Sequence, residues 1–209
     1  MSVKKGNMYK GKRGKTVTYE LNGQEVQRTI GVRTTPPTIS DLARREKMTI
    51  VNNLHQPVKE FLRTGYKIQG KRKRKTAYAM AVSYNITQAI AGTYPEFEID
   101  FDKVLFSQGD LPVSEDVQVE VRETGLAFTW NPGLLKKGMK SNDSVLMLAY
   151  CAEKESAFFE VNGNRRSFGN DFLEVTAYHQ QMTLEVYVAF ESAEGKSISN
   201  SFHVGQVRF

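Results

Sequence analysis

The chain has 209 residues, of which 40% are hydrophobic and 25% charged, and it carries a formal net charge of +6 from 29 Lys and Arg against 23 Asp and Glu. That balance excludes wholesale disorder, and a single cysteine excludes an internal disulfide. The charge is unevenly laid out: residues 1–75 hold 19 of the cations beside five carboxylates, near +14, which leaves the rest near −8.

A basic front joined to a mildly acidic rear predicts two domains with two tasks, divided into 1–112 and 113–209. Residues 1–15 are rich in Lys, Arg and Gly, with Lys4, Lys5, Lys10, Lys12, Arg13 and Lys15 and almost nothing to bury. Such an arm is mobile in isolation and orders only against a partner. Next, 16–21 alternates, Asn22-Gly23 tolerates the positive φ of a type I′ turn, and 24–30 returns, which predicts a hairpin with Val17, Tyr19 and Leu21 on one face. Pro36-Pro37 breaks the chain. Thr38 or Ser40 then caps a helix with an apolar stripe of Ile39, Leu42, Ala43, Ile50, Val51 and Leu54, and Arg44, Arg45 and Lys47 fall mainly off that stripe. Pro57 opens a second helix with Val58, Phe61 and Leu62, stopped at Gly65. After a basic linker, Tyr78, Val82, Ile86 and Ile90 mark a third, ended by Gly92.

From Phe97 the period changes to two, with Phe97, Ile99 and Phe101 alternating with Glu96, Glu98, Asp100 and Asp102. Beyond Pro112, strands are predicted near 117–122, 126–131, 144–151, 156–162, 172–176, 183–190 and 197–207, the pattern of a β-sandwich. The fold class expected is thus an α+β N-terminal module, a hairpin plus about three helices, followed by an all-β sandwich. Cys151 lies in the apolar run 145–151 and reads as an inert buried thiol.

The sharpest local feature is the uninterrupted run Lys71, Arg72, Lys73, Arg74 and Lys75. Between helices it must be a solvated loop or a helix N-terminus, suited to phosphates or to an acidic protein surface. A helix-turn-helix fits poorly, because Pro57 occupies the turn and the cations sit on the first helix. His55, His179 and His203 are widely separated and lack neighbouring Cys or paired carboxylates, so no metal is expected. Glu98, Asp100 and Asp102 share a strand face, which does not wrap a cation. Phosphate-cradling, dinucleotide and nucleophile-elbow signatures are missing, so neither catalytic residues nor cofactors nor a small-molecule substrate are expected. The start of the chain lacks the apolar stretch of a signal peptide, and no segment has the length to span a bilayer. The expected location is the cytoplasm or a virion.

Three resemblances add to this reading. Residues 126–132 with Trp130, 184–190 with Tyr187, and 195–200 resemble a fibronectin type III repeat, which implies an immunoglobulin-like sandwich with Trp130 and Tyr187 as structural core. Over nearly the full length, the Gly-Lys arm, the hairpin, Arg33 to Thr38 with Pro36-Pro37, 42–45, Gly65-Tyr66, 76–78, 83–85, Ala89-Ile90 and 92–95 resemble an uncharacterised domain-of-unknown-function family of Bacteroidota. Its members pair a basic N-terminal module with an immunoglobulin-like half. The N-terminal part is also similar to segments of phage structural proteins. None of these resemblances brings a catalytic residue. The expected function is a non-enzymatic assembly protein, a phage-derived virion or filament component, docking on other subunits of a homo- or hetero-oligomer. The alternative is a non-specific nucleic-acid-binding protein using the same Lys and Arg residues.

Overall fold

A computed structural model describes residues 3–5, 8–21, 23–32, 34–176 and 181–209, with side chains from Lys10 onward. Asn22, Arg33, His179 and the side chains of Lys4 and Lys5 lie outside the described residues. The chain forms two compact units, Met1–Thr38 and Ile39–Phe209.

In the first unit, β1 (Val3–Lys5), β2 (Met8–Arg13), β3 (Thr16–Leu21) and β4 (Gln24–Thr29) make one antiparallel meander in chain order. The hairpin read from alternation is β3–β4, closing at Leu21 opposite Gln24, with Gly23 at φ +80. The basic arm differs from expectation: it is not free chain but β1 and β2. Strand β2 pairs with β3 from Gly11 opposite Thr18 to Arg13 opposite Thr16, and Gly14, at φ +58, turns the chain between them. An open hairpin edge carries unpaired N–H and C=O groups, which backbone pairing satisfies whatever the side chains are.

The second unit is α+β and its sheets are antiparallel. Its helices are α1 (Ile39–His55), α2 (Lys59–Gly65), α3 (Lys67–Lys73) and α4 (Ala77–Gln88), with a 3-10 turn holding Pro57 between the first two. A hairpin of β5 (Ile90–Thr93) and β6 (Glu96–Ile99) follows. Gly92 therefore does not stop a helix: α4 ends at Gln88, and Gly92, at φ +85, lies in β5 where a Cβ would meet the Glu96 carbonyl at 2.3 Å.

The remaining strands are β7 (Gln118–Arg122), β8 (Gly125–Thr129), β9 (Ser144–Cys151), β10 (Ser156–Glu160), β11 (Asn170–Glu174), β12 (Thr183–Glu191) and β13 (Phe202–Arg208). They form two sheets, ordered β10-β9-β12-β13 and β11-β8-β7. Strands β9 and β12 are apolar on both faces. Val145, Met147, Ala149 and Cys151, with Leu184, Val186, Val188 and Phe190, face the smaller sheet and share a core with Leu126, Phe128, Trp130 and Leu173. Leu146, Leu148, Tyr150, Tyr187 and Ala189 face the other way and pack with Leu54, Phe61, Leu62, Tyr66 and Ala81 of the helical layer.

That second apolar face explains why the chain does not divide at 112. It must be covered, and the helices cover it. Phe106 belongs to the helical core and Leu111 to the core between the sheets. Ser107 donates its hydroxyl to the Ser199 carbonyl, and Ser201 donates its own N–H to the Ser107 carbonyl. Trp130 and Tyr187 are both buried but in different cores. Tyr187 sits within β12 and donates its hydroxyl to the Phe101 carbonyl at 2.8 Å.

Candidate functional site

The helical layer carries the main concentration of described cations. Helices α2 and α3 bury Phe61, Leu62, Gly65, Tyr66 and Gly70. Gly65 lies so close to the 106–107 segment that a Cβ there would come within 2.3 Å of the Phe106 carbonyl, and Tyr66 donates its hydroxyl to the Leu105 carbonyl at 3.0 Å. One face of each helix is thereby fixed against the core. Away from that face Lys59 and Arg63 on α2, and Lys67 and Lys71 on α3, are exposed pairs four residues apart, and the exposed Lys75 follows the end of α3. Residues four apart on a helix are neighbours on one face.

The basic run is divided between a helix C-terminus and the turn that follows it, and is not a helix N-terminus. Lys71, Arg72 and Lys73 form the last turn of α3, Arg74 caps it in the left-handed conformation at φ 53, and Lys75 follows. Cations suit this place because the free carbonyls of a helix C-terminus make it partly negative.

Two hollows lie along this layer. The first, about 630 Å³, is bounded by Asn52 and Gln56, by Lys59 and Arg63 of α2, and by Thr76, Ala77 and Tyr78 at the start of α4. Tyr78 donates its hydroxyl to Asn52 at 2.8 Å, and Thr76 caps α4 by accepting the Ala79 N–H. The second, about 250 Å³, is lined by Lys67, Ile68, Lys71 and Arg72 of α3 and by Gly195 and Lys196 from the turn after β12. Arg72 is held by Asp110 at 2.9 Å, and Lys196 pairs with Glu194 at 3.0 Å. Hydrogen bonds from Lys140 and then Lys196 draw the Glu194 carboxyl down to about 2. A third hollow, about 530 Å³, has Glu115, Asp116 and Lys136 at its rim.

The other cations singled out by sequence are dispersed. Arg44 and Arg45 stand exposed on the N-terminal half of α1, whereas Lys47 is half-buried with its Nζ 4.7 Å from the centre of the Phe97 ring. In the first unit Lys10 pairs with Glu20, and Lys12, Arg13 and Lys15 are exposed. Among the described residues, Lys10 and Arg72 are the predicted cations that salt-bridge to carboxylates of the chain itself. Sequence reading missed Lys59, Arg63, Lys67 and Lys196. The four-residue spacing signalled the first three; Lys196 is brought in only by the fold.

Among the described residues, no three His, Cys, Asp or Glu gather as metal ligands, and no helix is long and apolar enough to cross a membrane. His203 lies between two carboxylates, with Nδ1 2.6 Å from Asp102 and Nε2 2.8 Å from Glu185, and its ring rests 4.8 Å from that of Tyr187. It lines none of the three hollows. Its carboxylates sit on opposite sides of the ring, so it fastens the turn after β6 to β12 and β13.

Comparison with known proteins places the chain in one family. The family described as "Family of unknown function (DUF6266)" matches residues 8–205, and the chain belongs to it. No curated protein and no solved structure matches the chain.

Proposed function

We propose that this member of the DUF6266 family is a non-enzymatic assembly protein whose basic N-terminal sheet docks on a second copy of the chain. The observation that carries the reading is a sheet without a core. Among the described side chains of the first unit only Thr18 is buried, while Tyr19 and Leu21 are 37% and 54% exposed. Val17, Tyr19 and Leu21 share one face, with Val26 directly across from Tyr19. Backbone ordering costs about 1–2 kcal/mol per residue, and a small sheet needs an apolar face packed on something else to be stable. Docking supplies that surface.

Charge selects the partner. The first unit holds eight Lys and Arg against two carboxylates, the whole of the chain's +6. Residues 76–209 hold 18 carboxylates against ten cations, so a neighbouring copy offers the acidic surface, including the exposed Glu96 and Glu98 of β6. A contact between unlike surfaces of identical chains is heterologous and builds rings or open filaments, the setting of a virion or filament part. The two facing sheets, with Trp130 in their shared core, support an immunoglobulin-like sandwich as the scaffold.

Light scattering behind gel filtration tests this. The full chain is expected to grow in mass with concentration, and Tyr19→Asp with Leu21→Asp to hold it as a monomer. A parent chain that stays monomeric at every concentration overturns the reading.

A further inference from the structure

The cationic face of α2 and α3 is a second binding surface, independent of the N-terminal sheet, and we propose that it takes the phosphate backbone of a nucleic acid. Three observations carry this. First, Lys59 and Arg63 on α2, and Lys67 and Lys71 on α3, are exposed pairs four residues apart; such pairs stand about 5–6 Å apart on one helix face. Second, each pair borders its own hollow, of about 630 and 250 Å³, so the charges flank recesses that an extended ligand can settle into. Third, the fold adds Lys196 to the second recess from a turn more than a hundred residues away in sequence. Four cations from two elements thus line the recess beside Ile68 and Gly195, Arg72 paired with Asp110 and Lys196 with Glu194, and Lys67 and Lys71 exposed.

Cation pairs on two successive helices, each beside its own recess, suit an extended polyanion whose charges repeat along its length. Tyr78 is the aromatic residue lining these hollows, and its hydroxyl is tied to Asn52. The contact is therefore to phosphates rather than to bases, and it is insensitive to sequence.

The test is fluorescence anisotropy with a labelled oligothymidine of about 20 nucleotides, long enough to exceed a typical single-strand site, between about 50 and 200 mM salt. The full chain is compared with a Lys59→Gln, Arg63→Gln, Lys67→Gln, Lys71→Gln variant and with a Lys10→Gln, Lys12→Gln, Arg13→Gln, Lys15→Gln variant. All eight positions lie outside the core, and circular dichroism verifies that each variant is folded. The helical variant is expected to bind more weakly, with a log–log salt slope shallower by about 3, because each phosphate contact on a single strand contributes about 0.7 to that slope. The N-terminal variant is expected to keep most of its affinity. Absence of binding by the full chain at about 50 mM salt, an unchanged slope in the helical variant, or equal affinity for polyglutamate overturns the proposal. None of these results bears on self-association through the sheet.

Discussion

Asn85 decides where the proton sits on His55. Its Oδ1 accepts the Leu105 N–H at 3.0 Å and its Nδ2 donates to the Leu105 carbonyl at 2.9 Å, so turning the amide over would break both bonds. The same Nδ2 is 2.9 Å from His55 Nε2, which must then accept, leaving the proton on Nδ1. Among the described residues that buried Nδ1 has no partner. Burial pushes the imidazole down to about 4 from its ordinary 6.5. Between those values the unfolded chain binds more protons than the folded one, so stability is flat above pH 6.5 and falls as the pH drops toward 4. The loss amounts to on the order of 3 kcal/mol across the window. Urea unfolding at pH 7 and near pH 4.5 should show most of that drop in the parent chain and much less in His55→Gln; equal drops would rule this histidine out as the cause. A second residue-scale prediction concerns Arg166, which is buried, lies 3.9 Å over the Phe190 ring and reaches Asp143 Oδ2 through Nε at 3.3 Å. Asp143→Ala leaves that guanidinium without its counter-charge and should cost about 3–5 kcal/mol in denaturant unfolding.

At the scale of elements, α3 shows where a sequence pattern misleads. Five successive cations suggest a loop, yet the first three form the last turn of α3. Gly65 is the last residue of α2, as the sequence suggests, and Gly70 lies inside α3. Both sit where a Cβ would collide, against the Phe106 carbonyl at 2.3 Å and the Lys75 carbonyl at 2.8 Å. At Gly70 tertiary packing thus overrides a helix-breaking signal. Gly65→Ala should cost roughly 2–3 kcal/mol, the scale of overpacking. At the other end of α3, Arg74→Gly should raise the midpoint of thermal unfolding by the equivalent of about 1 kcal/mol, since a non-glycine residue in the left-handed region carries that order of strain. A lower midpoint would mean that the arginine side chain stabilises the cap. Strands β9 and β12 were legible because each is apolar on both faces, and β3–β4 because it alternates into a turn. Strands β1 and β2 were not, because what holds them is backbone pairing, which leaves no mark in side-chain order. Within the candidate site, the cations of the run were legible as charges. The hollows beside them and the arrival of Lys196 depend on contacts between distant segments.

At the scale of the whole molecule, charge and core divide the chain at different places. Read along the sequence, the charge break falls near residue 75, yet the second unit spans it and is neutral, with 21 cations and 21 carboxylates. Inside that unit residues 39–75 are near +8 and 76–209 near −8. Charge reports who meets whom; the buried clusters report what folds together. Every residue of both clusters lies beyond Thr38, so removing 1–38 subtracts a sheet and leaves both cores whole. The truncated chain should unfold in one cooperative thermal transition close to that of the full chain. Its isoelectric point should fall from about 9.3 toward neutrality as +6 is lost. It should also stay monomeric in light scattering and still bind oligothymidine through α2 and α3. A truncated chain without a cooperative transition would show that the N-terminal sheet belongs to the folding unit; one that still self-associates would move the docking surface off the sheet.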